Sequence, residues 1–222
     1  MQLDRYVYML KTSTPAHLSL AFDMFDEKCL PMTPIYESRC CYSVVSVSGF
    51  IYIMGGFNEH FNRIEDIERF DSRTGKWELV SRMVPMSLSK AVSLNGYICA
   101  IRYDRRLTTI MVQVYDPTSD MRSSVSTPRH FKPVNFAIAY REHLYLIGGN
   151  TLFCAARSVE EYDPINGVCI LMPDLPFIYL TPRAVVLKGV LIIYEDNLAK
   201  EFLGDTTPPV YWDPENRTWH II

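Results

Sequence analysis

The sequence predicts an all-β fold: a β-propeller of about five blades, each a four-stranded antiparallel meander, with the first blade incomplete. Three observations predict it. First, the segment Gly49-Phe-Ile-Tyr-Ile-Met-Gly55-Gly56 returns as Glu142-His-Leu-Tyr-Leu-Ile-Gly148-Gly149 after 93 residues, and Gly96-Tyr-Ile-Cys-Ala-Ile-Arg102-Tyr103 stands midway between them. The same step reaches Gly189-Val-Leu-Ile-Ile-Tyr-Glu195-Asp196 and, backward, Arg5-Tyr-Val-Tyr-Met-Leu-Lys11-Thr12. Second, an aromatic residue followed by aspartate recurs as Phe25-Asp26, Phe70-Asp71, Tyr115-Asp116, Tyr162-Asp163 and Trp212-Asp213, at gaps of 45, 45, 47 and 50 residues. Third, turn signals follow that pair: Ser72–Gly75, Pro117–Asp120, Pro164–Gly167 and Pro214–Arg217. Landmarks holding one period along the whole chain mark a repeat architecture, and repetition selects a propeller over a sandwich or barrel.

Each element of the unit follows in order. An apolar run such as Tyr42–Val47 or Val134–Tyr140 supplies the first strand. The glycine-ended segment is the second strand, and the aromatic–aspartate segment closes the third. Proline presets φ at the next turn, where asparagine or glycine tolerates φ > 0, and the fourth strand follows. One domain over residues 1–222 results, with blades at roughly 1–38, 39–84, 85–127, 128–176 and 177–222. The chain opens in what reads as a second strand, Tyr6–Leu10, and stops just past Trp219. Either five blades close imperfectly, or the chain is the C-terminal part of a longer six-bladed protein; the second is the expected case.

Composition narrows the function classes. Hydrophobic residues make up 48% and charged residues 21%, which is the balance of a folded globular domain. A formal net charge of −3 leaves no global basic field, so neither nucleic acid nor membrane is an expected partner. Met1-Gln2-Leu3-Asp4-Arg5 puts charges where a signal peptide needs an apolar core, and the most apolar stretch, Ala184–Tyr194, contains Lys188 and is too short to span a bilayer. Cys29, Cys40, Cys41, Cys99, Cys154 and Cys169 form no CxxC pair and no zinc-spaced cluster. They are expected as buried free thiols in a reducing compartment, which places the protein in the cytoplasm and leaves the Asn216-Arg217-Thr218 sequon unused. No metal or cofactor is expected.

At these residues the chain resembles the kelch repeat proteins, most closely the C-terminal propeller of the kelch-like, BTB-BACK-kelch type. A kelch blade pairs a double glycine ending its second strand with a downstream Tyr-Asp and then a Trp. Gly55-Gly56, Phe70-Asp71 and Trp77 form one nearly complete copy. Gly148-Gly149 with Tyr162-Asp163 forms another without the Trp, and Trp212-Asp213 with Trp219 keeps the end of the last blade. The resemblance covers the whole chain but departs where Arg102-Tyr103 and Glu195-Asp196 replace the glycines. Those replacements are either drift in tolerant blades or the lining of a site near the channel.

The resemblance implies a protein–protein interaction module. In kelch-like proteins BTB and BACK domains recruit a cullin-3 ubiquitin ligase and the propeller selects the substrate; neither domain lies within this chain. An actin-associated or other scaffold role is the alternative. Recognition is expected in the loops after the double-glycine position, Phe57–Ile64, Tyr103–Thr109, Asn150–Ser158 and Asp196–Pro208. They contain His60, Phe61, Arg63, Arg105, Arg106, Phe153 and Arg157. Basic residues before a blade's first strand face the ligand in related adaptors, and that position holds Arg39 and Lys132 here. These nine are the candidate partner-binding residues. Their arginines suit an acidic or phosphorylated segment of a protein partner, although ordinary solvated loops carry similar residues.

Some kelch propellers are copper oxidases, which need converging His and Tyr ligands. Here His17, His60, His130, His143 and His220 fall at dissimilar repeat positions. No GxSxG motif or phosphate-binding glycine loop occurs. The chain is therefore expected not to be an enzyme.

Overall fold

The computed structural model describes the chain except residues 1, 4–5, 11–18, 83–89, 105–108, 128–133, 135, 149, 152–153, 156 and 197–206. Among the described residues there is no helix. Five four-stranded antiparallel sheets follow one another, each with its strands hydrogen-bonded in sequence order. The fold is the expected five-bladed all-β propeller. Blade 1 holds Tyr6–Met9, Leu20–Asp23 and Lys28–Pro31, with a two-residue stub, Gln2–Leu3, beside the first of them. Blade 2 holds Ser43–Val47, Phe50–Met54, Asp66–Asp71 and Lys76–Arg82, and blade 3 holds Lys90–Leu94, Tyr97–Asp104, Thr109–Asp116 and Met121–Thr127. Blade 4 holds Phe136–Tyr140, His143–Ile147, Val159–Asp163 and Val168–Leu171. Blade 5 holds Pro182–Leu187, Val190–Glu195, Val210–Asp213 and Thr218–Ile221. The backbone forms two compact units, residues 1–98 with 115–121 and residues 99–114 with 122–222.

The repeat is enforced at its turns. Strands 1 and 2 of blades 2 to 5 join through two residues that both have positive φ: Ser48-Gly49, Asn95-Gly96, Arg141-Glu142 and Lys188-Gly189. That is the hairpin turn whose twist matches the strands it joins, and glycine is its natural second residue. Only Glu142, at φ 66°, holds the position with a side chain.

The recurring aspartate caps the next turn. Asp71 Oδ1 accepts from the Arg73 amide at 2.9 Å, Asp116 Oδ1 from Thr118 at 2.8 Å, Asp163 Oδ1 from Ile165 at 2.8 Å and Asp213 Oδ1 from Glu215 at 2.9 Å. The turn then ends on a left-handed residue: Gly75, Asp120, Gly167 or Arg217. In blade 1 the equivalent pair is Phe22-Asp23, not the expected Phe25-Asp26. Asp23 Oδ1 accepts from the Phe25 amide at 3.0 Å, and Phe25 is exposed at the turn. Two aromatic–aspartate-like pairs three residues apart made the sequence register ambiguous there.

The aromatic partner of that aspartate fills the core. In the first unit Tyr8 and Ala21 of blade 1 pack with Ile51, Ile53, Phe70 and Trp77 of blade 2. In the second unit Tyr145, Ile147 and Val159 of blade 4 pack with Leu191, Ile193, Val210 and Trp212 of blade 5. Tyr162 is fully buried, and burial pushes its hydroxyl up to about 12. Tyr52 and Tyr145 occupy matching registers, opposite Arg69 and Glu161, each two residues before the capping aspartate.

The departures from the repeat have local causes. Where Arg102-Tyr103 replaces the double glycine, nothing stops the strand, and it runs on to Asp104. The strands on either side of the expected long loop Tyr103–Thr109 therefore reach Asp104 and Thr109, and residues 105–108 lie outside the described residues. The loop after Ile147 carries a small hairpin, Asn150–Thr151 with Cys154–Ala155. Cysteines 29, 40, 41, 99 and 169 are free thiols as expected, but Cys29, Cys40 and Cys41 are exposed and only Cys99 is buried, its thiol pushed up to about 12 by desolvation.

Candidate functional site

The loop joining strands 2 and 3 of blade 2 is built around Asn58. Its Oδ1 accepts from the His60 amide at 3.1 Å and the Asn62 amide at 2.9 Å, while its Nδ2 donates to Glu37 Oε1 at 3.1 Å. Its backbone closes the same loop, Asn58 N to Asn62 O at 2.9 Å and Phe61 N to Asn58 O at 3.0 Å. Below this tip, Phe57 exchanges both backbone hydrogen bonds with Cys40, at 2.9 and 3.0 Å. Gly56 makes that approach possible, because a Cβ there would lie 2.5 Å from the Cys40 carbonyl oxygen.

The tip displays what it does not use. Phe61 is 80% exposed and held in the left-handed region at φ 58°. His60 and Arg63 are exposed beside it, and His60 Nε2 lies 3.6 Å from the Glu59 carboxylate. An aromatic ring, an imidazole and a guanidinium thus stand on a backbone already ordered by five hydrogen bonds at Asn58. Ordering before contact lowers the entropic cost of binding. Asn58 is the residue that composition alone undervalues; the readable signal is an asparagine opening a turn, where its side chain can bond backbone two residues on.

Arg39 is elsewhere. It is buried and forms an ion pair with Glu68, both side chains fully removed from solvent. The guanidinium also donates to the carbonyls of Asp66 at 3.1 Å and Gly55 at 3.3 Å, and Glu68 accepts from the Tyr36 amide at 2.7 Å. Every strong donor direction points into the blade, so Arg39 anchors the segment entering blade 2. The equivalent position in blade 5, Tyr179, is also buried, with its hydroxyl donating to the Pro208 carbonyl at 2.8 Å. Counting back along the chain found the position but not its direction.

Arg157 is exposed at the start of strand 3 in blade 4, 3.6 Å from Asp174 and donating to the Pro176 carbonyl at 3.3 Å. Arg105, Arg106, Lys132 and Phe153 lie outside the described residues. Glu195, which replaces a glycine, turns inward to its own linker. Its carboxylate accepts from the Leu180 amide at 2.7 Å and the Thr181 hydroxyl at 2.6 Å, and the adjacent Asp196 pairs with Arg183 at 2.8 Å. Among the described residues no three His, Cys, Asp or Glu side chains converge as a metal site, and no helix is long and apolar enough to cross a membrane. The described Phe57–Ile64 loop presents an exposed ring, an imidazole and a guanidinium on a hydrogen-bonded backbone.

Comparison with known proteins agrees with the repeat. Residues 38–84, which are blade 2 with its entering segment, match the Kelch motif. The chain is 23% identical to mouse Kelch-like protein 35 over 150 residues, covering 66% of this chain and 25% of that protein. It is 25% identical to human Kelch repeat and BTB domain-containing protein 2 over 192 residues, covering 78% of this chain and 30% of the relative. It is 20% identical to Xenopus tropicalis Kelch-like protein 25 over 166 residues, covering 74% and 28%. The matched region thus spans between a quarter and a third of each relative. Among solved structures, that of YjhT superposes over 100% of this chain and 84% of its own with a TM-score of 0.70 at 12% identity, a likeness of fold.

Proposed function

Because the chain is a kelch-repeat propeller like those of the kelch-like proteins, we propose that it is a protein-interaction module serving as the substrate-recognition part of a cullin-3 ubiquitin ligase adaptor. The observation that carries the reading is the Phe57–Ile64 loop, where Asn58 holds Phe61 and Arg63 outward on an ordered backbone. Aromatic and arginine side chains are the residues that dominate binding energy in protein interfaces. The partner segment is acidic or phosphorylated and meets Arg63 and Arg157, together with Arg105, Arg106 and Lys132; His60, Phe61 and Phe153 supply the remaining contacts. Arg39 takes no part, since its guanidinium is committed to Glu68. The setting is the cytoplasm, and the cullin-3 link belongs to a BTB domain outside these residues, as the name of the human relative suggests for that protein.

The test is partner capture from cell lysate by the wild-type chain, by a variant reversing Arg63, Arg105 and Arg157, and by a control reversing Arg73 and Lys76 in the opposite kind of turn. Capture should be lost only in the first variant. Desolvated arginine contacts can exceed about 2 kcal/mol each, while exposed ones contribute roughly 0–1 kcal/mol, so one or two of the three should dominate. Equal recovery from both variants places the binding surface elsewhere.

A further inference from the structure

Free cysteine is among the most buried of residue types, yet the one adjacent pair in this chain, Cys40-Cys41, is exposed at both positions. In extended backbone successive side chains point to opposite faces, which would keep two neighbouring thiols apart. Cys41 breaks that alternation, because its φ is 54°, in the left-handed region that favours glycine. The two thiols instead meet in a hydrogen bond. Slight desolvation, the charge on Cys40 and that bond push the Cys41 thiol above its ordinary value. The backbone under the pair is fixed from both directions. Arg39, just before it, is locked to Glu68 and to the carbonyls of Asp66 and Gly55. Cys40 exchanges both backbone hydrogen bonds with Phe57, and Tyr42, just after the pair, packs on the core of blades 1 and 2. A left-handed cysteine that its surroundings hold in place, with two exposed thiols brought together, points to a function.

We propose that Cys40 and Cys41 form a dithiol site that a single thiophilic centre bridges, the type ligand being a monosubstituted trivalent arsenical. Soft sulfur ligands suit such a centre. The step balances without an oxidant. An arsenic(III) oxide takes both thiols, two As–S bonds form, and the two S–H protons leave with the arsenic-bound oxygen as one water. Nothing is oxidised or reduced. The raised Cys41 thiol favours this route over thiol–disulfide exchange, which needs a thiolate. A direct disulfide also fits poorly, since adjacent Cα atoms lie about 3.8 Å apart and disulfide-bonded ones roughly 4.4–6.8 Å. A bridging atom lengthens the link and relieves that misfit. The second As–S bond forms intramolecularly, so its effective concentration holds the reagent against competing monothiols. Cys40 is bound to Phe57, which opens the Phe57–Ile64 loop, so the adduct forms at the foot of that loop.

Intact-mass measurement of the full chain, treated with one equivalent of phenylarsine oxide and then challenged with excess glutathione, tests this. The wild type should gain one arsenical less one water, keep it in glutathione and release it to ethanedithiol. Digestion after labelling should place the added mass on the fragment that carries Cys40 and Cys41. Cys40→Ser and Cys41→Ser should each weaken retention about a hundredfold or more. Cys29→Ser, which removes an exposed cysteine outside the pair, should leave retention unchanged. A wild-type adduct that glutathione strips, or one found on another cysteine, overturns the proposal. So does an adduct that either the Cys40 or the Cys41 variant retains.

Discussion

The Trp77 indole Nε1 donates to the Thr33 carbonyl at 2.9 Å, tying the outer strand of blade 2 to the segment that leaves blade 1. Thr33 answers with its hydroxyl, which donates to the Gly75 carbonyl at 2.8 Å, and the Tyr36 hydroxyl donates to the Trp77 carbonyl at 3.1 Å. The tie recurs in the second unit, where Trp219 Nε1 donates to the Pro173 carbonyl at 2.9 Å. In blades 2 and 5 this recurring tryptophan therefore stitches the blade to its predecessor while its ring packs on the core aromatic, Phe70 in one case and Trp212 in the other.

Trp77→Ala should cost about 3–5 kcal/mol, the usual loss for a buried aromatic truncated to alanine. Trp77→Phe keeps most of the packing and loses the indole donor, so it should cost less while still leaving the Thr33 carbonyl one partner short. Chemical denaturation of the three proteins orders them. An alanine variant as stable as the wild type would contradict the stitch.

Arg39 and Glu68 predict a stability effect rather than a binding effect. Arg39→Met leaves a buried carboxylate without its cation and should cost about 3–5 kcal/mol. Replacing both residues by apolar ones should recover part of that loss. Partner capture at matched folded fractions should be unchanged by the double substitution. Lost capture in a folded double variant would return Arg39 to the recognition surface.

The turn aspartates predict behaviour in acid. Hydrogen bonds hold Asp71, Asp116 and Asp213 below the ordinary carboxyl value: chiefly the Arg73 amide for the first, the Ser119 hydroxyl for the second and the Asn216 side chain for the third. For Asp163 desolvation pulls the other way but is outweighed by Asn166 and Ile165. A carboxyl lowered on folding contributes stability above its unfolded pKa of about 3.9, and that contribution disappears as pH falls through the folded value. Stability should accordingly drop below about pH 4. Asp71→Asn with Asp213→Asn keeps the turn acceptors and removes two titrations, so its acid transition should be shallower. Identical acid transitions would show that these carboxyls do not carry it.

Glu142 sits where the other three hairpins have glycine, with φ at 66°. The left-handed region costs an L-residue roughly 1–2 kcal/mol. Glu142→Gly should therefore stabilise the protein by about 1 kcal/mol and raise the melting temperature by roughly 2–4 °C. Gly49→Ala is the converse test: no atom lies within 4 Å of its missing Cβ, so any loss is backbone strain alone.

Period and chemistry of the repeat were legible in the sequence by itself. Strand alternation, the hairpin dipeptides and the aromatic–aspartate pair are local, and each is dictated by backbone sterics or by a side chain reaching two residues along its own chain. Five blades and the burial of Phe70, Tyr162 and Trp77 follow from those alone. Tertiary structure decided the direction and company of the side chains. Arg39 and Arg63 are equally basic in the sequence, yet one meets Glu68, 29 residues away, inside blade 2 and the other faces water. Val45 and Val185 are the same residue in the same repeat position, and only the neighbouring blade makes one core and the other surface. Local periodicity specifies a strand and its two faces, but what covers each face is a long-range contact, and no pattern within one repeat encodes it.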